Sequence, residues 1–197
     1  MDYQRIIDKY YPEDNGLRRI LLIHSQSVAQ KALQIVVSHP ELGIDRDFIF
    51  AAAMLHDIGI IRTNAPGIEC YGTEPYIRHG VIGAAMMREE GHEAFARICE
   101  RHTGAGLSLD DIVSQDLPLP HRSFLPETIE EQVICYADKF FSKSHLEREK
   151  TVEQAERSLA KFGTAGVERF RKWVEMFESK NNTSTEVRSI RRNVGNC

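Results

Sequence analysis

Residues 48–59 read FIFAAAMLHDIG: eight apolar positions, then His56 and Asp57, then Ile58 and Gly59. A run this apolar spares no face for water, so it predicts a helix buried on most sides, capped at its start by Asp47 and closed by Gly59. Ending such a helix on two ionisable groups is costly, because polar groups removed from water need partners. Carbonyl oxygens point outward from the last turn of a helix and carry partial negative charge, so an imidazole and a carboxylate placed there favour a bound cation.

The flanking sequence is helical in the same way. Ile20, Ile23, Val28, Ala32 and Ile35 recur at helical spacing up to Ser38, where His39-Pro40 supplies a stop, and this places His24 on a helix. Arg62 to Pro75 holds two prolines and two glycines and predicts a loop that covers a site. A helix from near Tyr76 to Glu90, closed by Gly91, carries His79 in its first turn. The next, from about Glu93, carries His102 late, ahead of Thr103-Gly104-Ala105-Gly106.

After the proline-rich stretch LPLPHRSFLPET, a helix from Pro126 or Thr128 to about Lys143 bears Asp138. Amphipathic helices follow over roughly 151–161 and 166–180, the second with Phe170, Trp173, Val174 and Phe177 on one side. The alternation of a half-buried strand is hard to find anywhere. These patterns predict an all-α bundle: one domain over 1–180, with packing helices from about 150 and a polar tail over 181–197.

A chain of 197 residues, 42% hydrophobic and 27% charged, can bury one continuous core. Its net charge of -4 gives no positive field to concentrate nucleic acid or an anionic membrane, so neither is expected as a partner. An anionic ligand must then be held by local groups. Cys70, Cys99, Cys135 and Cys197 form no CxxC pair and the first residues are charged, which predicts reduced thiols and a cytoplasmic setting. Apolar stretches such as 48–55 fall well short of the roughly 20 residues that cross a bilayer, and no span is expected.

Of eight histidines, His39, His92, His121 and His145 read as ordinary surface or packing residues. The rest form an order. His24, then His56-Asp57 inside LHDIG, then Asp138 inside YADKFFSK resembles the HD superfamily of metal-dependent phosphohydrolases. His79 in IRHGVIGA and His102 in ERHTGAG look like the two additional histidines of members that bind two metals. The resemblance covers roughly residues 20–145. It implies an HD-domain helical bundle in which His24, His56, Asp57 and Asp138 hold a first metal and His79 and His102 a second, with Asp57 bridging. It also implies hydrolysis of a phosphoester or phosphoanhydride of a nucleotide-like small molecule by metal-activated water. Two imidazoles with two carboxylates suit one or two divalent transition metals, such as iron, manganese or zinc.

Cations near the developing charge on phosphoryl oxygens lower the barrier. Lys139, beside Asp138, and Arg101, beside His102, are the candidates alongside Asp57. Lys143, four residues after Lys139, is expected on the same helical face, extending a cationic strip toward a second phosphate. Thr103 and Gly104 offer hydroxyl and backbone donors, and Tyr71 or Tyr76 could stack on a nucleobase. Two other readings share these ligands: a di-iron oxygenase of the same fold, and a non-catalytic nucleotide- or metal-binding regulatory module. The basic side chains beside the ligands favour phosphoryl chemistry, and the C-terminal helices offer a surface for a homodimer.

Overall fold

The structure, a computed structural model, describes residues 1–178. The polar tail, Cys197 and the last residues of the final predicted helix lie outside them. Asp2 starts α1 (Tyr3–Tyr10) by accepting from the Arg5 N–H, and Asn15 starts α2 (Gly16–Ser38) by accepting from Arg18. By length and composition α2 is long and apolar enough to cross a bilayer, a test that buried core helices also pass. Its apolar length has a use inside the protein: Leu21, Val28, Ala29 and Ala32 are fully buried on one face, in line with His24 and Ser25.

Asp45, rather than Asp47, caps α3 (Arg46–Leu55), because it lies three residues before Phe48 and accepts that N–H at 2.8 Å. Asp47 sits inside the first turn, where its charge complements the helix dipole. The helix stops at Leu55. His56 continues its conformation for one residue, and Asp57 (φ -104°, ψ 11°) turns the chain into a 3-10 segment over Ile58–Arg62. Gly59 is therefore no terminal cap. It marks a close approach of two backbones, where a Cβ would lie 2.2 Å from the His79 carbonyl oxygen and 2.4 Å from the Gly83 nitrogen.

The expected covering loop contains a small sheet: β1 (Thr63–Ala65) pairs antiparallel with β2 (Cys70–Tyr71) and parallel with β3 (Glu74–Pro75). Strands of two or three residues are too short to show an alternation, so sequence patterning misses them. Then come α4 (His79–Glu89) and α5 (Glu93–Arg101). Another element that the sequence reading did not separate is α6 (Leu109–Ser114), started by a capping box between Ser108 and Asp111.

A capping box between Thr128 and Glu131 opens α7 (Ile129–Asp138), which ends at Asp138, short of the expected Lys143. After it come α8 (Val152–Leu159) and α9 (Thr164–Glu178). Packing pairs α2 with α3 and α7, and α4 with α5, while α3 touches both α5 and α7. Leu55, Ile58, Met87 and Ile134 are fully buried in their shared interior. Apolar side chains of α9 dock on α7: the Phe170 ring stacks on Tyr136 at 5.1 Å, Phe177 meets it edge-on at 5.3 Å, and the Trp173 N–H donates to Gln132. Aromatic pairs of this kind contribute about 0.5–1.5 kcal/mol each beyond burial, and they brace the helix that carries Asp138.

Candidate metal centre

Four helix ends and one mid-helix position converge. His24 comes from the middle of α2, His56 and Asp57 from the end of α3, and His79 from the first turn of α4. His102 follows the last residue of α5, and Asp138 closes α7. All six residues are buried, none more than 8% exposed. Such a density of ionisable groups inside a helical core is unfavourable unless they are matched to one another or to an ion.

They fall into two sets that share one residue: His24, His56, Asp57 and Asp138, and Asp57, His79 and His102. In the first, His24 Nε2 lies 3.1 Å from Asp57 Oδ2 and 3.0 Å from Asp138 Oδ1, and His56 Nε2 lies 3.0 and 3.5 Å from the same two atoms. In the second, Asp57 Oδ1 lies 3.6 Å from His79 Nε2 and 3.4 Å from His102 Nε2. Asp57 thus turns one oxygen to each set.

The backbone fixes which end of each ring faces inward. The Nδ1 atoms of His56, His79 and His102 sit 2.5, 2.7 and 2.7 Å from the carbonyls of Ala53, Tyr76 and Cys99, each three residues earlier. Donation to those carbonyls leaves Nε2 as the free donor atom, the arrangement usual for a metal-binding imidazole. Burial pushes His79 down to about 3, helped by neighbouring His102, and it lowers His102 as well against the pull of Asp57. Two neutral rings then aim Nε2 lone pairs at each other across 3.0 Å. That contact is repulsive unless a cation lies within reach of both.

The donor set fits a divalent transition metal. His24 Nε2, His56 Nε2 and Asp57 Oδ1 are buried with no hydrogen-bond partner in the protein. Ligands about 2.1 Å from an ion and at right angles to one another lie roughly 3 Å apart, close to the shorter separations seen here. Burial would raise Asp57 and Asp138, yet the nearby lysines and histidines hold both carboxyls well below their usual range. Burial would lower His56, but Asp57 and Asp138 outweigh it and lift the ring to about 9, so this pocket attracts positive charge of either kind, proton or metal.

The sequence profile of the HD domain matches residues 21–142. The chain belongs to the HD domain family. An uncharacterised protein of Methanocaldococcus jannaschii is 33% identical over 142 residues, which cover 70% of this chain and 76% of that one. Proteins of Picrophilus torridus and Thermoplasma volcanium, both named tRNA (cytidine(56)-2'-O)-methyltransferase, are 30% and 34% identical. They are matched over 74% and 72% of this chain but only 41% and 37% of their own length. Among solved structures, the HD domain of the L. monocytogenes phosphodiesterase PgpH superposes with a TM-score of 0.50 at 13% identity, covering 87% of this chain and 94% of that one. At that identity the likeness is one of fold.

Around the HD cluster the cations are placed differently from the sequence reading. Lys139 Nζ pairs with Asp138 Oδ2 at 2.8 Å. Lys143 lies beyond the end of α7, not on a helical face with Lys139, and folds back so that its Nζ reaches Asp57 Oδ2 at 2.5 Å. The structure turns Arg101 elsewhere. Its guanidinium donates to the Leu125 carbonyl and pairs with Glu127 at 2.9 Å, tying α5 to the segment that starts α7.

A cavity of about 460 Å³ opens onto the cluster, lined by His79, His102 and Asp138 together with Lys139, Lys143 and Lys150. Thr103 and Gly104 line it, and Arg101 does not. Tyr76 lines it too, stacked on the His79 ring at 4.7 Å, whereas Tyr71 is 76% exposed on β2 and faces no part of it. Lys150 escaped the sequence reading because it sits in EREK, which looks like any solvated charge run. So did Phe162, an exposed ring at the cavity rim.

Proposed function

We propose that this HD domain hydrolyses a phosphoester or phosphoanhydride of a small nucleotide-like molecule, with one or two divalent metals, iron, manganese or zinc, held by His24, His56, Asp57, His79, His102 and Asp138. The observation that carries the reading is the pairing of Lys139 and Lys143 with the two ligand carboxylates, at the floor of a cavity that reaches both donor sets. A metal held there would supply Lewis acidity and lower the pKa of a bound water toward neutrality.

The chain's own groups do the rest. The ammonium groups of Lys139 and Lys143, held beside the cluster by their carboxylate partners, would stabilise negative charge that develops on phosphoryl oxygens. The Thr103 hydroxyl and the Gly104 backbone, on the cavity wall, orient the phosphate. Tyr76 keeps the His79 ring in position by stacking and narrows the cavity above it. Breaking a carbon bond with dioxygen asks for no such cations, which weighs against the oxygenase reading. A nucleotide-type substrate also accords with a domain that occurs inside longer proteins named as tRNA methyltransferases.

The test is phosphate release from a panel of nucleotides and phosphoesters by protein loaded with iron or manganese, with and without dioxygen. Release independent of dioxygen and absent in Asp57→Ala supports the proposal. Turnover that requires dioxygen, or a panel left untouched by fully loaded protein, overturns it.

A further inference from the structure

We propose that Lys150 is a specificity-determining residue that receives a second phosphate-type anion of the substrate, away from the metal cluster. The inference rests on the hydrolase reading for its substrate and on the pairing of charges in the cavity for its location. Lys139 is matched to Asp138 and Lys143 to Asp57. Lys150 lines the same cavity and, among the described residues, has no carboxylate partner.

The acid beside it in sequence is turned away: Glu149 pairs with Lys31 at 2.9 Å, and that ammonium in turn sits 3.9 Å over the Phe140 ring. The backbone holds Lys150 in place, since its N–H donates to the Phe140 carbonyl at 2.8 Å, next to the end of α7. The bond its side chain makes, from Nζ to the Lys139 carbonyl, is long at 3.4 Å, beyond the 2.7–3.2 Å of a well-formed N–H···O contact.

A half-buried ammonium with other lysines near it and no carboxylate of its own is unfavourable: burial together with Lys139 and Lys143 lowers its proton affinity, and the Asp138 carboxylate, already paired with Lys139, offsets this only in part. An anionic group entering the cavity relieves that cost. Ser142, Ser144 and Ser158 line the same cavity, the first two with their hydroxyls hydrogen-bonded to each other at 2.9 Å. The cationic strip toward a second phosphate therefore exists, but Lys150 ends it, because Lys143 is engaged with Asp57.

A capping role for Lys150 on the last carbonyls of α7 is the competing account. The two differ in what they do to selectivity. Binding of inorganic phosphate, pyrophosphate and tripolyphosphate is measured by calorimetry on metal-loaded wild type, Lys150→Ala and Lys150→Arg. Chelation of metal in solution is common to the three proteins and cancels in the comparison.

The expected result is a preference of wild type for tripolyphosphate over phosphate that falls by on the order of tenfold in Lys150→Ala and is kept in Lys150→Arg. An unchanged preference in Lys150→Ala, with or without a lower Tm, overturns the proposal. Should the preference depend on Lys150 while no phosphoester is hydrolysed, the anion subsite stands and the hydrolase reading fails. Should hydrolysis proceed with the preference untouched by Lys150→Ala, the reverse holds.

Discussion

His79 and His102 present their Nε2 atoms to each other at 3.0 Å while their Nδ1 atoms are engaged by the Tyr76 and Cys99 carbonyls. Neither neutral ring can donate to the other in that tautomer, so the pair is arranged to share a cation with Asp57 Oδ1. Replacing His102 by Ala is expected to remove the second equivalent of metal and leave the first on His24, His56, Asp57 and Asp138. Elemental analysis of protein purified without chelator checks this, and a loss of both equivalents would show that the two sets are not separable.

Asp57 serves both sets and also neutralises Lys143. In Asp57→Asn the buried ammonium loses its anion, and breaking a buried pair of this kind costs on the order of 3–5 kcal/mol. The variant should therefore combine loss of both metals with a Tm lowered by several degrees. The double variant Asp57→Asn, Lys143→Met should recover much of the Tm and none of the metal. Thermal unfolding of the chelated proteins separates the charge effect from the loss of bound ion.

His56 sets the pH dependence. Its folded-state value, about 9, lies above the ordinary 6.5, so in metal-free protein the charged ring adds stability that is fully present below about 6.5 and fades as pH rises through 9. Metal binding runs the other way, since the ligand form is the neutral ring. Affinity should rise up to about tenfold per pH unit between 7 and 9, with release of close to one proton from His56 at pH 7. Calorimetric titration in two buffers of different ionisation enthalpy counts that proton.

Much of this centre was legible in the sequence because its residues are tied to features with a period or a stop. His24 follows the helical spacing of its apolar neighbours, and His56-Asp57 breaks an apolar run where burial makes ionisable groups conspicuous. What the sequence hid depends on distance across the fold. Arg101 adjoins His102 in the chain, but its side chain goes to Glu127 and Leu125, and only the packing of α5 on the start of α7 decides that. Lys143 looked like a helical neighbour of Lys139 because nothing in YADKFFSK marks the end of α7 at Asp138. Gly59 looked like a cap, while its actual constraint is the backbone of α4.

Arg101 should accordingly behave as a strut. Arg101→Ala leaves the buried Glu131 with less positive charge nearby and frees the Leu125 carbonyl, at a cost of about 2–4 kcal/mol. Metal content and kcat per folded molecule should stay within a few-fold of wild type. A fall of kcat by two or more orders of magnitude with metal retained would instead place the guanidinium at the phosphate.

Gly59→Ala tests the backbone contact that sets His79 relative to Asp57. The added Cβ would fall 2.2 Å from the His79 carbonyl and 2.4 Å from the Gly83 nitrogen, both backbone atoms that cannot rotate away. Relief requires the segment over 58–62 to separate from α4, which carries His79 away from Asp57 while leaving His24, His56 and Asp138 on other helices. The second equivalent of metal should therefore be lost before the first, alongside a destabilisation of about 1–3 kcal/mol. Elemental analysis together with denaturant unfolding reads both, and retention of two equivalents at wild-type stability would mean that the two backbones are free to part.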